Sequence, residues 1–162
     1  MLGKLLKRMQ FNLSRVGKRV DRLWDNDSNP TFACALDVRH SISWVKEEVD
    51  LVVSGGEVRI QYRQFEGFRT ILEETNQVCL PAPNDVEAQL RSMGILELPS
   101  VSESLFDGSQ ATIAARDSTH RNIFREYSIS TPQARLRDLL VELGYPATDD
   151  DAPTAQETDK SE

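Results

Sequence analysis

Nine apolar residues, Leu2, Leu5, Leu6, Met9, Leu13, Val16, Val20, Leu23 and Trp24, recur at helical spacing through the first 24 positions. Spaced at about 100° per residue, they form one stripe about 100° wide along a single helix face. Seven basic residues, Lys4, Lys7, Arg8, Arg15, Lys18, Arg19 and Arg22, occupy the opposite side, with Phe11 among them. Such a helix needs a cover for its stripe, and three covers fit. The chain's own sheet is one, since each well-buried Leu or Val contributes roughly 1.5–3 kcal/mol. An anionic bilayer surface is the second, with up to about 1 kcal/mol from each basic residue. The third is an apolar or acidic groove on a protein partner. "DNDSNP" ends the helix, because Asn29-Pro30 and the small polar residues before it favour a turn.

Beyond Pro30 the hydrophobic period becomes two. "TFACALDV" reads as a strand, and "VDLVVSGGEVRIQYRQF" reads as two strands joined at Gly55-Gly56, a pair suited to the positive φ of a two-residue hairpin loop. Val49, Leu51 and Val53 then share a face with Val58, Ile60 and Tyr62. "FEGFRTILEETNQVCLP" reads as a loop or a further strand. Asn84, Glu87 and Gly94 supply the cap, capping partner and stop of a short helix. "QATIAAR" and "NIFREYSIS" form a second hairpin around "DSTHR". Thr131, Pro132 and Gly144 frame a final helix with Leu136, Leu139, Leu140 and Leu143 on its apolar face. The expected fold is α+β: an antiparallel sheet built from two hairpins, with an N-terminal amphipathic helix, a short middle helix and a C-terminal helix. The chain divides into a basic helix at 1–24, an α+β domain at 31–146 and a disordered acidic tail at 147–162.

Charge narrows the function. The net charge is -7, but residues 1–24 carry +6 and the remainder -13. An acidic body argues against a general nucleic-acid binder, which needs a basic face making several phosphate contacts. Lys4, Lys7 and Arg8 break any secretory apolar run and exclude a bilayer-spanning opening. Cys34 and Cys79 stand far apart with no CxxC, which reads as buried reduced thiols in a reducing compartment. A cytoplasmic protein follows, membrane-associated if the basic helix docks on lipid.

No HExxH, P-loop or GxGxxG is present, and no cofactor or metal is expected. "RDSTHR" gathers Asp117, Ser118, Thr119 and His120, but neighbours on one turn cannot usually face one another as a catalytic triad, so the stretch reads as a polar hairpin turn. His40 has no second ligand at a useful spacing. An enzyme built on His40 or His120 is therefore the last of the readings. "YRQFEGFR" is more informative, because Phe65 and Phe68 bracket Glu66-Gly67 with Arg63 and Arg69 outside, a composition found at interface hot spots. Packing of both rings into the core is the alternative.

From residue 57 to 143, "VRIQYRQFEGFR", "ILELPS", "ATIAARDSTHRNIFREYSI" and "LRDLLVEL" resemble the emfourin family, small protein inhibitors of thermolysin-like metallopeptidases. The resemblance implies a non-enzymatic inhibitor with Phe65, Glu66, Gly67 and Phe68 as its contact loop. Element order and acidic balance also resemble the class I type III secretion chaperones, which implies a small dimeric adaptor. The expected function is binding of a protein partner as inhibitor or adaptor, with a homodimer possible. The alternative is a peripheral membrane protein that docks through residues 1–24.

Overall fold

Three helices enclose a six-stranded antiparallel sheet in the computed structural model, which describes residues 2–40, 44–78, 83–101, 109–126 and 131–145. Helix α1 (Leu2–Asp25) precedes β1 (Pro30–Arg39), β2 (Val45–Ser54), β3 (Glu57–Glu66) and β4 (Arg69–Val78). Helix α2 (Pro83–Ser92), the hairpin β5 (Gln110–Arg116) and β6 (Arg121–Glu126), and α3 (Pro132–Gly144) follow. The strand order is β4-β3-β2-β1-β5-β6, so the chain is α+β, with β1 central.

Strand β1 shows why the sheet is covered on both sides. Its residues from Phe32 to Val38 are all buried, where a strand with one wet face would alternate. Phe32, Cys34 and Leu36 enter the larger core with Leu51, Ile60, Phe124, Leu90 of α2, and Leu136 and Leu140 of α3. Ala33 and Ala35 point the other way and meet Val16 and Val20 of α1, with Val52 and Ala114 alongside. Small strand residues under α1 let its stripe come close. The C-terminal half of the stripe is thus covered by the chain's own sheet. Cys34 is a buried free thiol, pushed well above the ordinary range by that burial; Cys79 lies outside the described residues.

Turns explain the register. Gly55 and Gly56 sit at φ +59° and +80°, which pairs Val49 with Tyr62, Leu51 with Ile60 and Val53 with Val58 on the core face. The stretch read as loop or strand continues as β4, paired with β3 as far as Val78. Helix α2 begins at Pro83, one residue earlier than its expected cap, so Asn84 lies inside the first turn. Gly94, at φ +84°, closes that helix, and the Ile95 amide donates to the Leu90 carbonyl at 3.3 Å. Thr131 caps α3 as expected, its hydroxyl accepting from the Ala134 amide at 3.2 Å.

Gly144 is the last residue of α3, as expected, and does a second job there. It remains inside α3 and is buried, and a Cβ placed there would lie 3.2 Å from a methyl of Val49 and 3.4 Å from the Tyr62 Cβ. A larger side chain would push α3 off β2 and β3. Gly144→Val is expected to lower stability by about 1–3 kcal/mol, the usual cost of overpacking, read as a lower urea midpoint at unchanged slope. A wild-type midpoint for this variant would mean that α3 is not seated closely on the sheet.

Candidate interaction site

Helix α1 does not present all its basic residues to solvent. Arg15 and Arg19 flank the apolar stripe and turn down onto β2, where alternation puts Glu48 and Asp50 on the α1 side of the sheet. The Arg15 guanidinium lies 2.7 Å from Glu48, and Arg19 Nε lies 2.6 Å from Asp50. Arg63 of β3 reaches both carboxylates at 3.0 and 2.7 Å, and Lys46 reaches Glu48 at 2.5 Å and Asp37 at 3.4 Å. Asp37, Glu48 and Asp50 are all buried, so this is a charged layer under a helix rather than a surface decoration. Burial opposes ionisation of Glu48, yet Arg19, Lys46 and Arg63 outweigh it and hold its pKa at about 2. On the other flank of α1, Asp21 bridges Arg116 and Arg121, each at 3.0 Å.

These contacts fix how α1 lies. Four helical residues, about 6 Å, separate Arg15 from Arg19, and two strand residues, about 7 Å, separate their partners Glu48 and Asp50. The helix therefore tracks β2 in the same direction. Thirteen residues back from Arg15 is about 20 Å of helix, whereas β2 continues only about 10 Å from Glu48 to its first residue. The backbone of the opening turns, which carries positions 4, 7 and 8, thus passes the end of the strand. The side chains of Lys4, Lys7 and Arg8 lie outside the described ones.

At that end of the sheet, register brings the aromatic residues together. Lys46 pairs with Phe65 and Val45 with Glu66, and the Gly67 amide donates to the Trp44 carbonyl at 3.1 Å. Phe65, Glu66, Gly67 and Phe68 are therefore not an extended loop but the end of β3 and the tight turn into β4, with Gly67 at φ +60°. Phe68 is fully exposed at the turn, and Trp44 is 88% exposed beside it. Phe65 is half-buried under the Lys46 ammonium, 5.4 Å from its ring centre. Trp44, Phe65 and Phe68 line an open groove of about 510 Å³ whose remaining walls include Arg15, Arg39, His40 and Lys46. A second concavity, of about 370 Å³, adjoins it through Arg15 and is lined by Ser14, Lys18, Arg19 and Arg22 on α1. Neither Lys18 nor Arg22 has an ion pair among the described residues.

The two histidines part company. The Asp117 carboxylate accepts from the Thr119 and His120 amides and from Arg91, which closes a hairpin turn and holds Asp117 well below the usual carboxylate range. Ser118, Thr119 and His120 are exposed on that turn. His40 instead stands at the groove. Its Nε2 lies 2.6 Å from Glu47, whose other oxygen accepts from the Tyr62 hydroxyl at 2.6 Å, and its Nδ1 lies 2.8 Å from the Ser109 hydroxyl. Both ring nitrogens are thus engaged, and the chain of bonds joins the end of β1 to β2, β3 and the residue before β5. Among the described residues, no group of three or more His, Cys, Asp or Glu side chains is placed to hold a metal ion, and no helix is long and apolar enough to cross a membrane.

Fold and site together define a two-faced α+β sandwich with an aromatic and cationic groove at one end of its sheet. No protein family's sequence profile matches the chain, and no curated protein matches it either. Trp44, Arg39 and Lys46 were missed from the sequence as parts of the groove. Their only early signal was a lone Trp beside Lys46, which acquires meaning once the register sets it next to Gly67.

Proposed function

We propose that this is a non-enzymatic binding protein that holds a protein partner, as inhibitor or adaptor, on the groove between Trp44, Phe65 and Phe68. One observation carries the reading. Two large aromatic side chains stand exposed side by side at turns, above a groove walled by Arg15, Arg39 and Lys46. Aromatic and Arg side chains supply most interface hot spots, and a partner offering apolar groups to the rings and carboxylates to the rim would satisfy both. The resemblance to emfourin-like inhibitors supports the same surface, because three of its four implied contact residues, Phe65, Gly67 and Phe68, line the groove. His40 serves this face by bracing it through Glu47 and Ser109.

The inhibitor form is tested by titrating the chain into a thermolysin-like metallopeptidase. Inhibition is expected, and Trp44→Ala and Phe68→Ala should each weaken it by about 30-fold or more, the loss of about 2 kcal/mol typical of a hot spot. Both residues are exposed, so their urea midpoints should stay within about 0.5 kcal/mol of wild type. Absence of inhibition, or equal inhibition by all three chains, would sink this form.

The overshoot of α1 past β2 favours a second reading, docking on an anionic membrane. Flotation with anionic and neutral liposomes separates the two. Binding to anionic liposomes alone, lost when Lys4, Lys7 and Arg8 become Gln, places the partner in the bilayer; no flotation removes that reading.

A further inference from the structure

We propose that Lys18 and Arg22 seat an extended acidic segment of the protein partner, with carboxylates on alternate residues, in the trough beside α1. The inference rests on the groove at Trp44, Phe65 and Phe68 being a partner face, and it names the part of the partner that runs on from there.

The fold itself shows what such a row of cations selects. Arg15 and Arg19, four residues apart on α1, bind Glu48 and Asp50, two residues apart on β2. The spacings agree because four helical residues rise about 6 Å and two strand residues about 7 Å. Lys18 and Arg22 repeat that spacing on the same flank of α1, turned away from the apolar stripe by about 60° and 20° relative to Arg15, and both are exposed. Unlike Arg15 and Arg19, they have no carboxylate partner among the described residues. With Ser14, Arg15 and Arg19 they line the concavity of about 370 Å³, which adjoins the aromatic groove through Arg15. A strand laid there, as β2 is laid below, brings alternate carboxylates to Lys18 and Arg22.

The trough is open because α1 stands to one side of it. Val16 and Val20 pack on Ala33 and Ala35 of β1 and Ala114 of β5, which leaves Arg59 exposed and Gln61 half-buried on the same face of β3. Its surface is positive although carboxylates lie within it. Arg15 and Arg59 are 43% and 51% exposed, whereas their partners Glu48 and Asp27 are only 5% and 4% exposed, so the cations face outward over the anions. A guanidinium carries five N–H donors, of which Arg15 directs one at Glu48, and the others can meet a second carboxylate. A short acidic segment suits this surface better than a long nucleic-acid strand. Residues 25–162 carry -13 and would repel phosphates beyond the trough.

The test uses the full chain and two labelled peptides of one composition, each with Phe-Leu, a Gly-Ser linker and two glutamates. In one peptide a serine separates the glutamates. In the other they are adjacent and so point to opposite faces of an extended chain. At about 50 mM salt the alternating peptide should bind about three- to fivefold more tightly, with the preference gone at about 500 mM. K18Q/R22Q should bind both peptides alike and keep the wild-type urea midpoint, because both residues are exposed. Phe68→Ala should weaken both peptides equally, since it acts on the apolar anchor. Equal affinity of wild type for the two peptides, or a preference that survives K18Q/R22Q, overturns the inference, and the groove reading still stands if Phe68→Ala weakens both. A preference that Phe68→Ala leaves with unchanged affinities removes the groove reading and keeps the acidic seat. No binding of either peptide up to about 1 mM at low salt overturns the inference as well. Tighter binding of oligothymidylate, or flotation with anionic liposomes, lost in K18Q/R22Q, would assign the row to a nucleic acid or a membrane and overturn the polypeptide.

Discussion

Replacing Arg19 with Ala is expected to cost about 3–5 kcal/mol of folding stability, a large share of the 5–15 kcal/mol that a domain usually has. Its side chain is only 14% exposed and is the hub of the charged layer under α1. Nε bonds Asp50 at 2.6 Å, a terminal nitrogen bonds the Leu36 carbonyl at 2.5 Å, and the same nitrogen reaches the Val49 carbonyl at 3.3 Å. Removing it strands buried Asp50 and Glu48 with fewer counter-charges, and leaves two sheet carbonyls short of a donor. The large cost comes from those uncompensated groups, more than from the loss of the contacts themselves.

Arg15 supplies the internal control. It bonds the same Glu48, at 2.7 Å, but is 43% exposed, so Arg15→Ala should cost no more than about 1 kcal/mol. Arg19→Lys should fall between, because one ammonium cannot span a carboxylate and a backbone carbonyl as the planar guanidinium does. The measurement is urea unfolding of the three variants, with an Arg19→Ala/Asp50→Ala cycle to isolate the pair, expected to couple by about 0.5–3 kcal/mol. Equal midpoints for Arg15→Ala and Arg19→Ala would mean that α1 does not seat its arginines on the sheet.

How much of this was legible beforehand differs by level. The hairpin at Gly55-Gly56 could be read outright, because a positive φ at both positions and a period of two leave one register. The polar positions of β2 were misleading for a physical reason. Glu48 and Asp50 alternate with Val49 and Leu51, which is the pattern of a strand with a wet face, but alternation says only that two faces differ and not what covers the polar one. Arg15 and Arg19 posed the complementary problem. Placed on a wheel they belong to the basic side, yet they stand at its edge, and long stems let them bend down to the sheet. Neither half of the charged layer announces itself alone. The groove had the same difficulty, since Trp44 and Phe68 are 24 positions apart and meet only through the pairing of Val45 with Glu66.

That charged layer also sets how the protein meets acid. Stability is expected to fall steeply below about pH 4.5, with Glu48 alone accounting for about 3 kcal/mol of the loss by about pH 2. The carboxyl is held from an ordinary 4.5 down to about 2, where burial resists its charge but Arg19, Lys46 and Arg63 prevail. A carboxyl depressed in the folded state stabilises the fold at every pH above its unfolded value, and surrenders that contribution as pH falls through the folded one. Asp117 adds to the same window. Burial raises its pKa, but Arg91 and the amides of Thr119 and His120 more than reverse this and hold it well below the usual range. Asp21, between Arg121 and Arg116, is also lowered and acts in the same direction. Urea midpoints taken from pH 7 to about pH 2.5 for wild type and Glu48→Gln would isolate the buried group. The variant should be markedly weaker at neutral pH and converge on wild type as the medium becomes acid, since Gln has no proton to gain. A gap that stays constant across that range would show that Glu48 contributes through shape and hydrogen bonding rather than charge. The layer beneath α1 would then hold the helix for reasons other than its ion pairs.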